Sequence, residues 1–401
     1  MKSQTWTQLA VMMFLNYFVW GAWYVTIGTY MTVGLEFSGL QIGAVYATNA
    51  IAAIISPFFI GMIADRFFAS EKILGILHIL GGILMYLSTT VTDYGIFYIL
   101  ILLYNLTFMP TIALTNSLAF NQMTDTKKQF PAIRMLGTIG WIVVGLIIGF
   151  MQVEPTTTPL VIAAGTAIVM GLYSFTLPHT PPKAVGQKVT IREILGLDAL
   201  GLMKERSFAT VVIASVLICI PLAFYYSFAN PFLNEIGFEN AAGRMTAGQV
   251  SEALFLLIMP LFFARLGVRW MLTIGMAAWA LRYLLFAYGG VEAGSWMLWA
   301  GIILHGICYD FFFVTGQIFV DEEAPEHLKS SAQGLITLAT YGIGMFIGSN
   351  ISGIIVDRYV VEGGGHDWTG VWLVPAVFAV VVLIGFFAAF RNKTPEPEAV
   401  A

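Results

Sequence analysis

The feature that most constrains this chain is a run of about twenty apolar residues, repeated along its length. A helix crossing the hydrocarbon core of a bilayer needs about 20 such residues, because each adds about 1.5 Å. Windows of that kind fall at roughly 8–31, 41–63, 73–92, 95–119, 131–152, 158–178, 208–232, 246–266, 268–289, 294–320, 330–356 and 368–391. A bilayer core holds no water to satisfy backbone polar groups, so such spans must be helical. The rest of the chain cannot clothe a water-exposed surface. Only 10% of its residues are charged, against roughly 25% in soluble domains. An all-α membrane protein with twelve transmembrane helices is expected.

The first run has no small-residue cleavage site after it and reads as a retained helix. Most connections are short. One is longer, "PHTPPKAVGQKVTIREILGLDALGLMKERSF" at 178–208, and it leaves six spans on either side. This predicts an N-terminal six-helix bundle over 1–178, a linker over 179–207 and a C-terminal six-helix bundle over 208–401. The second half of the linker has helical spacing of apolar residues and is expected to lie at the membrane surface. Of the Lys and Arg residues in the connections and at the span ends, fifteen fall on the side of both termini, and only Arg244 and Arg358 on the other. That imbalance predicts cytoplasmic termini.

Several function classes are excluded. No basic stripe suits nucleic acid. Cys219 and Cys308 lie in apolar runs and make neither a disulfide framework nor a metal cluster. The five histidines are scattered, with no HExxH and no GxSxG. No enzyme activity, metal or cofactor is expected.

Ionisable residues inside spans are rare and face a bundle interior or a water-filled cavity. Four stand out: Arg134, Glu252, Arg282 and Asp310. Asp310 interrupts "LHGICYDFFFVTGQIF" at 304–319, where an uncompensated acid costs about 2.5–3.5 kcal/mol. Burial penalises only its charged form, so it suits a reversible proton site facing a polar cavity. The bland reading is a structural hydrogen bond. Glu252 lies a turn or two into its span, with Gln249 three residues earlier on the same face. Arg134, Thr138 and Trp141 form one helical stripe of charge, hydroxyl and aromatic ring, although an arginine so near a span end can also snorkel. Arg282 is expected to snorkel or to make a structural ion pair. His305 and Tyr309 share one face of the tenth span, and Asp310 lies about 100° from Tyr309. Asn16, Asn49, Asn105 and Asn116 read as hydrogen-bonding glue between helices.

Six spans, a linker and six spans resemble the major facilitator superfamily. "GMIADRFFASEK" at 61–72 is similar to that superfamily's Gly-x-x-x-Asp-Arg loop. The resemblance implies a conformational role for Gly61, Asp65 and Arg66. "GIIVDRYV" at 353–360 repeats the pattern on the opposite side.

Two acids, one arginine, amides, hydroxyls and aromatic faces suit a flat, hydroxyl-bearing solute such as a nucleoside, and less specifically a sugar. A more specific resemblance covers nearly the whole chain. "WGAWYVTIGTYM" (20–31), "IGAVYATNAIAAI" (42–54), "FPAIRMLGTIGW" (130–141), "LGLDALGLMK" (195–204), "SEALFLLIMPLFFARLGV" (251–268) and "YDFFFVTGQIFVDEE" (309–323) resemble the bacterial nucleoside:proton symporters. The resemblance implies proton-coupled nucleoside uptake across the bacterial cytoplasmic membrane by alternating access, in a monomer that needs no protein partner. It implies a substrate site comprising Arg134, Thr138, Trp141, Gln249, Glu252, Tyr309 and Asp310, with Asp310 and then Glu252 as proton-coupling acids. Where the family has a tyrosine four residues before the Tyr309 position, this chain has His305. The family's glutamine and asparagine on helix seven are replaced by Ala223 and Tyr226, which removes two base-reading amides and leaves the preferred nucleobase open. The alternatives are a carrier of another polar solute such as a sugar, a non-transporting sensor and a membrane enzyme.

Overall fold

The computed structural model describes residues 3–59, 68–181, 192 and 195–391. Gly61, Asp65 and Arg66 lie outside the described residues, as does most of the linker before residue 195.

The described chain is helical nearly throughout. In chain order the helices are α1 (Ser3–Gly34), α2 (Gly39–Phe59), α3 (Ser70–Ser88), α4 (Tyr94–Gln122), α5 (Thr126–Met151), α6 (Thr158–Ser174) and α7 (Arg206–Glu235). Ala241–Tyr288 is a continuous run of 48 residues interrupted at Gly267, whose φ of 65° and ψ of 174° are non-helical. An L-residue rarely adopts that backbone, so the run divides into α8 (241–266) and α9 (268–288). Then follow α10 (Ser295–Glu323), α11 (Glu326–Arg358) and α12 (Trp368–Ala389).

All twelve expected helices are thus present among the described residues. All but α6 belong to runs long and apolar enough to cross a membrane; α6 has 17 residues. Helix ends shift where polar residues cap them. Asp93, Asp125 and Asp367 accept hydrogen bonds from the backbone N–H groups of Ile96, Lys128 and Gly370, occupying donors that a helix start leaves free. The described part of the linker includes a short 3-10 helix, Leu197–Lys204; much of the stretch expected as a surface amphipathic helix lies outside the described residues.

Among the first six helices, α1 packs on α5 and α3 on α4 and α6; among the last six, α7 packs on α11 and α12, and α8 and α9 on α10 and α12. The two sets meet where α2 crosses α11, α5 crosses α8 and α1 crosses α7. At the first crossing a Cβ on Gly43 would run into the Ser349 carbonyl, so the backbones approach only because that side chain is missing. Within the first set, Asn16 Oδ1 accepts from Thr111 (3.1 Å) and bonds His78 Nε2 (2.9 Å), and Asn105 Nδ2 donates to Thr48 (2.9 Å). These asparagines join helices, as their burial in apolar spans suggests.

Candidate functional site

The two sets of helices are sealed together at the end opposite the chain termini. The seam is built from two carboxylates, each bonded to the start of a helix in the other set. Glu154, in the α5–α6 loop and only 2% exposed, accepts from Asn230 Nδ2 (2.6 Å), Asn234 Nδ2 (2.8 Å) and the Ala242 backbone N–H (2.9 Å) in the first turn of α8. Asp357, near the end of α11, accepts from the Gly39 (2.5 Å) and Leu40 (2.8 Å) N–H groups that open α2. Helix N-termini carry unpaired donors and partial positive charge, so they favour such partners. Thr29 adds a bond to Asn230 Oδ1 (2.6 Å). Among the described residues, every hydrogen bond joining the two sets lies at this end.

Between the seam and the other end lies a cavity bounded by both sets. Arg134, Thr138 and Trp141 reach it from α5, Tyr226 from α7, Gln249 and Glu252 from α8, and His305 and Tyr309 from α10. The i, i+4, i+7 stripe on α5 and the i, i+3 pair on α8 each put their side chains on one wall, as helical geometry requires. The Arg134 guanidinium lies over the Tyr17 ring, 4.0 Å from its centre. Snorkelling away from the bundle is thus replaced by a cation–π contact at the cavity wall. His305 Nε2 is 3.6 Å from a Glu252 carboxylate oxygen, and its ring stacks on Tyr225 and Tyr309 at 5.4 and 5.9 Å between centres. The Tyr309 and Tyr341 hydroxyls are hydrogen-bonded to each other.

Asp310 is placed differently. It is 1% exposed and is not among the cavity-lining residues. One residue along a helix turns the side chain by about 100°, and a wider π-turn begins at Asp310 itself, spanning Asp310–Val314. Tyr309 therefore faces the cavity while Asp310 sits behind it. Its Oδ2 has no hydrogen-bond partner among the described residues. A direct view of the cavity, expected from the sequence, is not what this turn provides.

Arg282 corrects another expectation. It neither snorkels nor forms an ion pair among the described residues. It is fully buried, donates to the Gly301 (2.8 Å) and Ile302 (3.4 Å) carbonyls and lies 3.7 Å from the Tyr225 ring centre. Two carbonyls and a ring take the place of the acid that the sequence suggested, while Arg282 Nη1 has no hydrogen-bond partner among the described residues.

Six lining residues were not singled out as a site: Tyr17, Trp20, Tyr24, Asn49, Tyr341 and Met345. Trp20 packs edge-on against Trp141 at 5.4 Å, and Tyr24 lies tilted against Tyr226 at 5.5 Å. The signal available was the i, i+3, i+7 aromatic stripe Tyr17, Trp20, Tyr24 on α1, which also reads as ordinary core.

Comparison with known proteins follows the same pattern. The family described as nucleoside H+ symporters matches residues 3–395. The Escherichia coli (strain K12) protein YegT is 42% identical over 99% of this chain and 96% of its own length. The nucleoside permease NupG of the same organism is 34% identical over 96% of each. A crystal structure of the nucleoside transporter NupG superposes with a TM-score of 0.89 at 34% identity, covering 97% of this chain and all of that one. The architecture is the twelve-helix arrangement of the major facilitator superfamily, a transporter fold and not that of an enzyme. The chain belongs to the nucleoside H+ symporter family.

Proposed function

We propose that this protein carries nucleosides inward together with protons, through the cavity between its two six-helix halves. The observation that carries the reading is the convergence of eight polar and aromatic side chains, from α5, α7, α8 and α10, on one cavity shared by both halves. Trp141, Tyr226 and Tyr309 offer faces for a flat base. Gln249, Thr138 and Arg134 offer hydrogen bonds to base and ribose, and Glu252 with His305 accepts from ribose hydroxyls. The moving bodies are residues 1–178 and 208–401, joined by 179–207. They rock about the cavity, so that the seam of Glu154 and Asp357 closes one side while the other opens. Excess Lys and Arg at the end of the termini places that end in the cytoplasm of a bacterium, across its inner membrane. The closed seam then belongs to the cytoplasm-accessible state of a monomer.

Asp310 is the first candidate for the coupled proton. An ionised carboxylate with an unpartnered oxygen so far from water is costly, and the neutral acid is not. Glu252, in the cavity wall, is the second. Coupling requires that proton and nucleoside each favour the other's binding or translocation.

The test is uptake of tritiated uridine and adenosine into proteoliposomes under an inward proton gradient, with a sugar panel alongside. Asp310→Asn is expected to lose gradient-driven accumulation while keeping nucleoside exchange. If both proteins accumulate equally, Asp310 is structural and Glu252 takes the role. If the wild type moves a sugar and no nucleoside, the substrate reading fails.

A further inference from the structure

Of the span asparagines Asn16, Asn49, Asn105 and Asn116, each of which has an amide atom without a partner among the described residues, Asn49 alone lines the cavity. Asn16 and Asn105 are tied to neighbouring helices by the hydrogen bonds described above. Asn49 lies on α2, lines the cavity, and its Nδ2 has no hydrogen-bond partner among the described residues. An amide at the wall of a cavity that no protein group engages is free to bond whatever enters that cavity, so its place there points to a ligand. The torsion that carries the amide is broad and nearly two-fold, so a small rotation presents either its donor or its acceptor to the cavity.

The surroundings fit that use. Trp20, Tyr24 and Trp141 line the same cavity and offer flat faces against which a base can lie. Trp20 Nε1 is a second buried donor without a described partner. On α7, the two positions where related symporters are expected to carry amides hold Ala223, which is fully buried, and Tyr226. The cavity therefore lacks an amide on its α7 wall and has one on its α2 wall, in the other half of the molecule.

We propose that Asn49 is the base-reading amide of this cavity, hydrogen-bonding the edge of a nucleobase that presents a donor beside an acceptor. This inference rests on the nucleoside reading above. A carboxamide matches such an edge with two parallel bonds. Placed on α2, it lets the N-terminal half grip the base while Gln249 and Glu252 of the C-terminal half hold the rest of the substrate.

The experiment compares binding and exchange of uridine, cytidine, adenosine and inosine by the wild type, Asn49→Leu and Asn49→Asp, all in proteoliposomes. Asn49→Leu removes both ends of the amide and is expected to weaken nucleoside binding about ten-fold. Its maximal exchange rate at saturation should change far less. Asn49→Asp keeps an acceptor and loses the donor, so it is expected to shift preference about ten-fold toward cytidine over uridine. Equal affinities in all three proteins, with wild-type exchange intact, overturn the inference and leave the nucleoside reading standing. Absence of nucleoside binding by the wild type removes the nucleoside reading itself. If Asn49→Leu does not assemble, the cytidine-to-uridine ratio of Asn49→Asp decides: unchanged selectivity overturns the inference.

Discussion

The seam and the cavity are both polar regions buried in an apolar molecule, and they treat their polar groups in opposite ways. At the seam, Glu154 has three partners and Asp357 two, all in the opposite half. At and beside the cavity, Asn49 Nδ2, Trp20 Nε1, His305 Nδ1 and Asp310 Oδ2 have none among the described residues. Burying an unsatisfied polar group costs about 1–3 kcal/mol. Unpaired atoms occur elsewhere too among the described residues, Asn240 Oδ1 beside Glu154 among them, but those at the cavity wall are the ones a solute can reach, and they are kept for something that comes and goes. The seam holds a conformation, and the cavity awaits a substrate and a proton.

Substitutions can sharpen or break that contrast. The largest effect is expected from Arg134→Gln, which removes the cationic group facing the cavity. Uridine affinity should fall about 10- to 100-fold, as for loss of hydrogen bonds to a charged group, with thermal stability close to wild type. A large loss of stability with unchanged affinity would move Arg134 from the substrate to the fold. Glu154→Ala strands two amides and a helix N–H at the seam. Alkylation of Thr246→Cys by an impermeant maleimide is expected to rise about 10- to 100-fold as the closed state loses about 1.5–3 kcal/mol. Unchanged labelling would mean that the seam does not hold this end shut. Asp357→Asn removes the charge at the start of α2 and, because an amide NH2 cannot accept, one of the two backbone hydrogen bonds. The same labelling should rise about two- to ten-fold, as for about 0.5–1.5 kcal/mol from the lost hydrogen bond and charge. The smallest effect is expected from Thr138→Ala, a KM increase of about two- to five-fold for one neutral hydrogen bond. No change in KM would place Thr138 in the wall without a substrate contact.

Much of this was legible in the sequence because membrane insertion writes strongly into composition. The twelve runs mark twelve helices, and the stripe Arg134, Thr138, Trp141 marks a wall. What escaped depends on contacts between distant segments. Glu154 reads as an ordinary loop acid, since its partners, Asn230, Asn234 and Ala242, lie more than seventy residues away. Asp310 was expected in the cavity because a sequence shows an angle of about 100° from Tyr309 but not the π-turn that begins there. Arg282 was expected to need an acid because carbonyl partners such as Gly301 and Ile302 leave no trace in side-chain chemistry. Asn49 resembled Asn16 and Asn105 in sequence and differs in lining the cavity and in making no hydrogen bond to a neighbouring helix among the described residues.

The central claim is that the unpaired groups at and beside the cavity bind nucleoside and proton together. It is tested most directly by recording internal pH in proteoliposomes, with no imposed gradient, when uridine is added outside. The account predicts that uridine entry acidifies the lumen in a fixed proton-to-nucleoside ratio, and that Asp310→Asn abolishes the acidification. Uridine entry with no acidification in the wild type would contradict it.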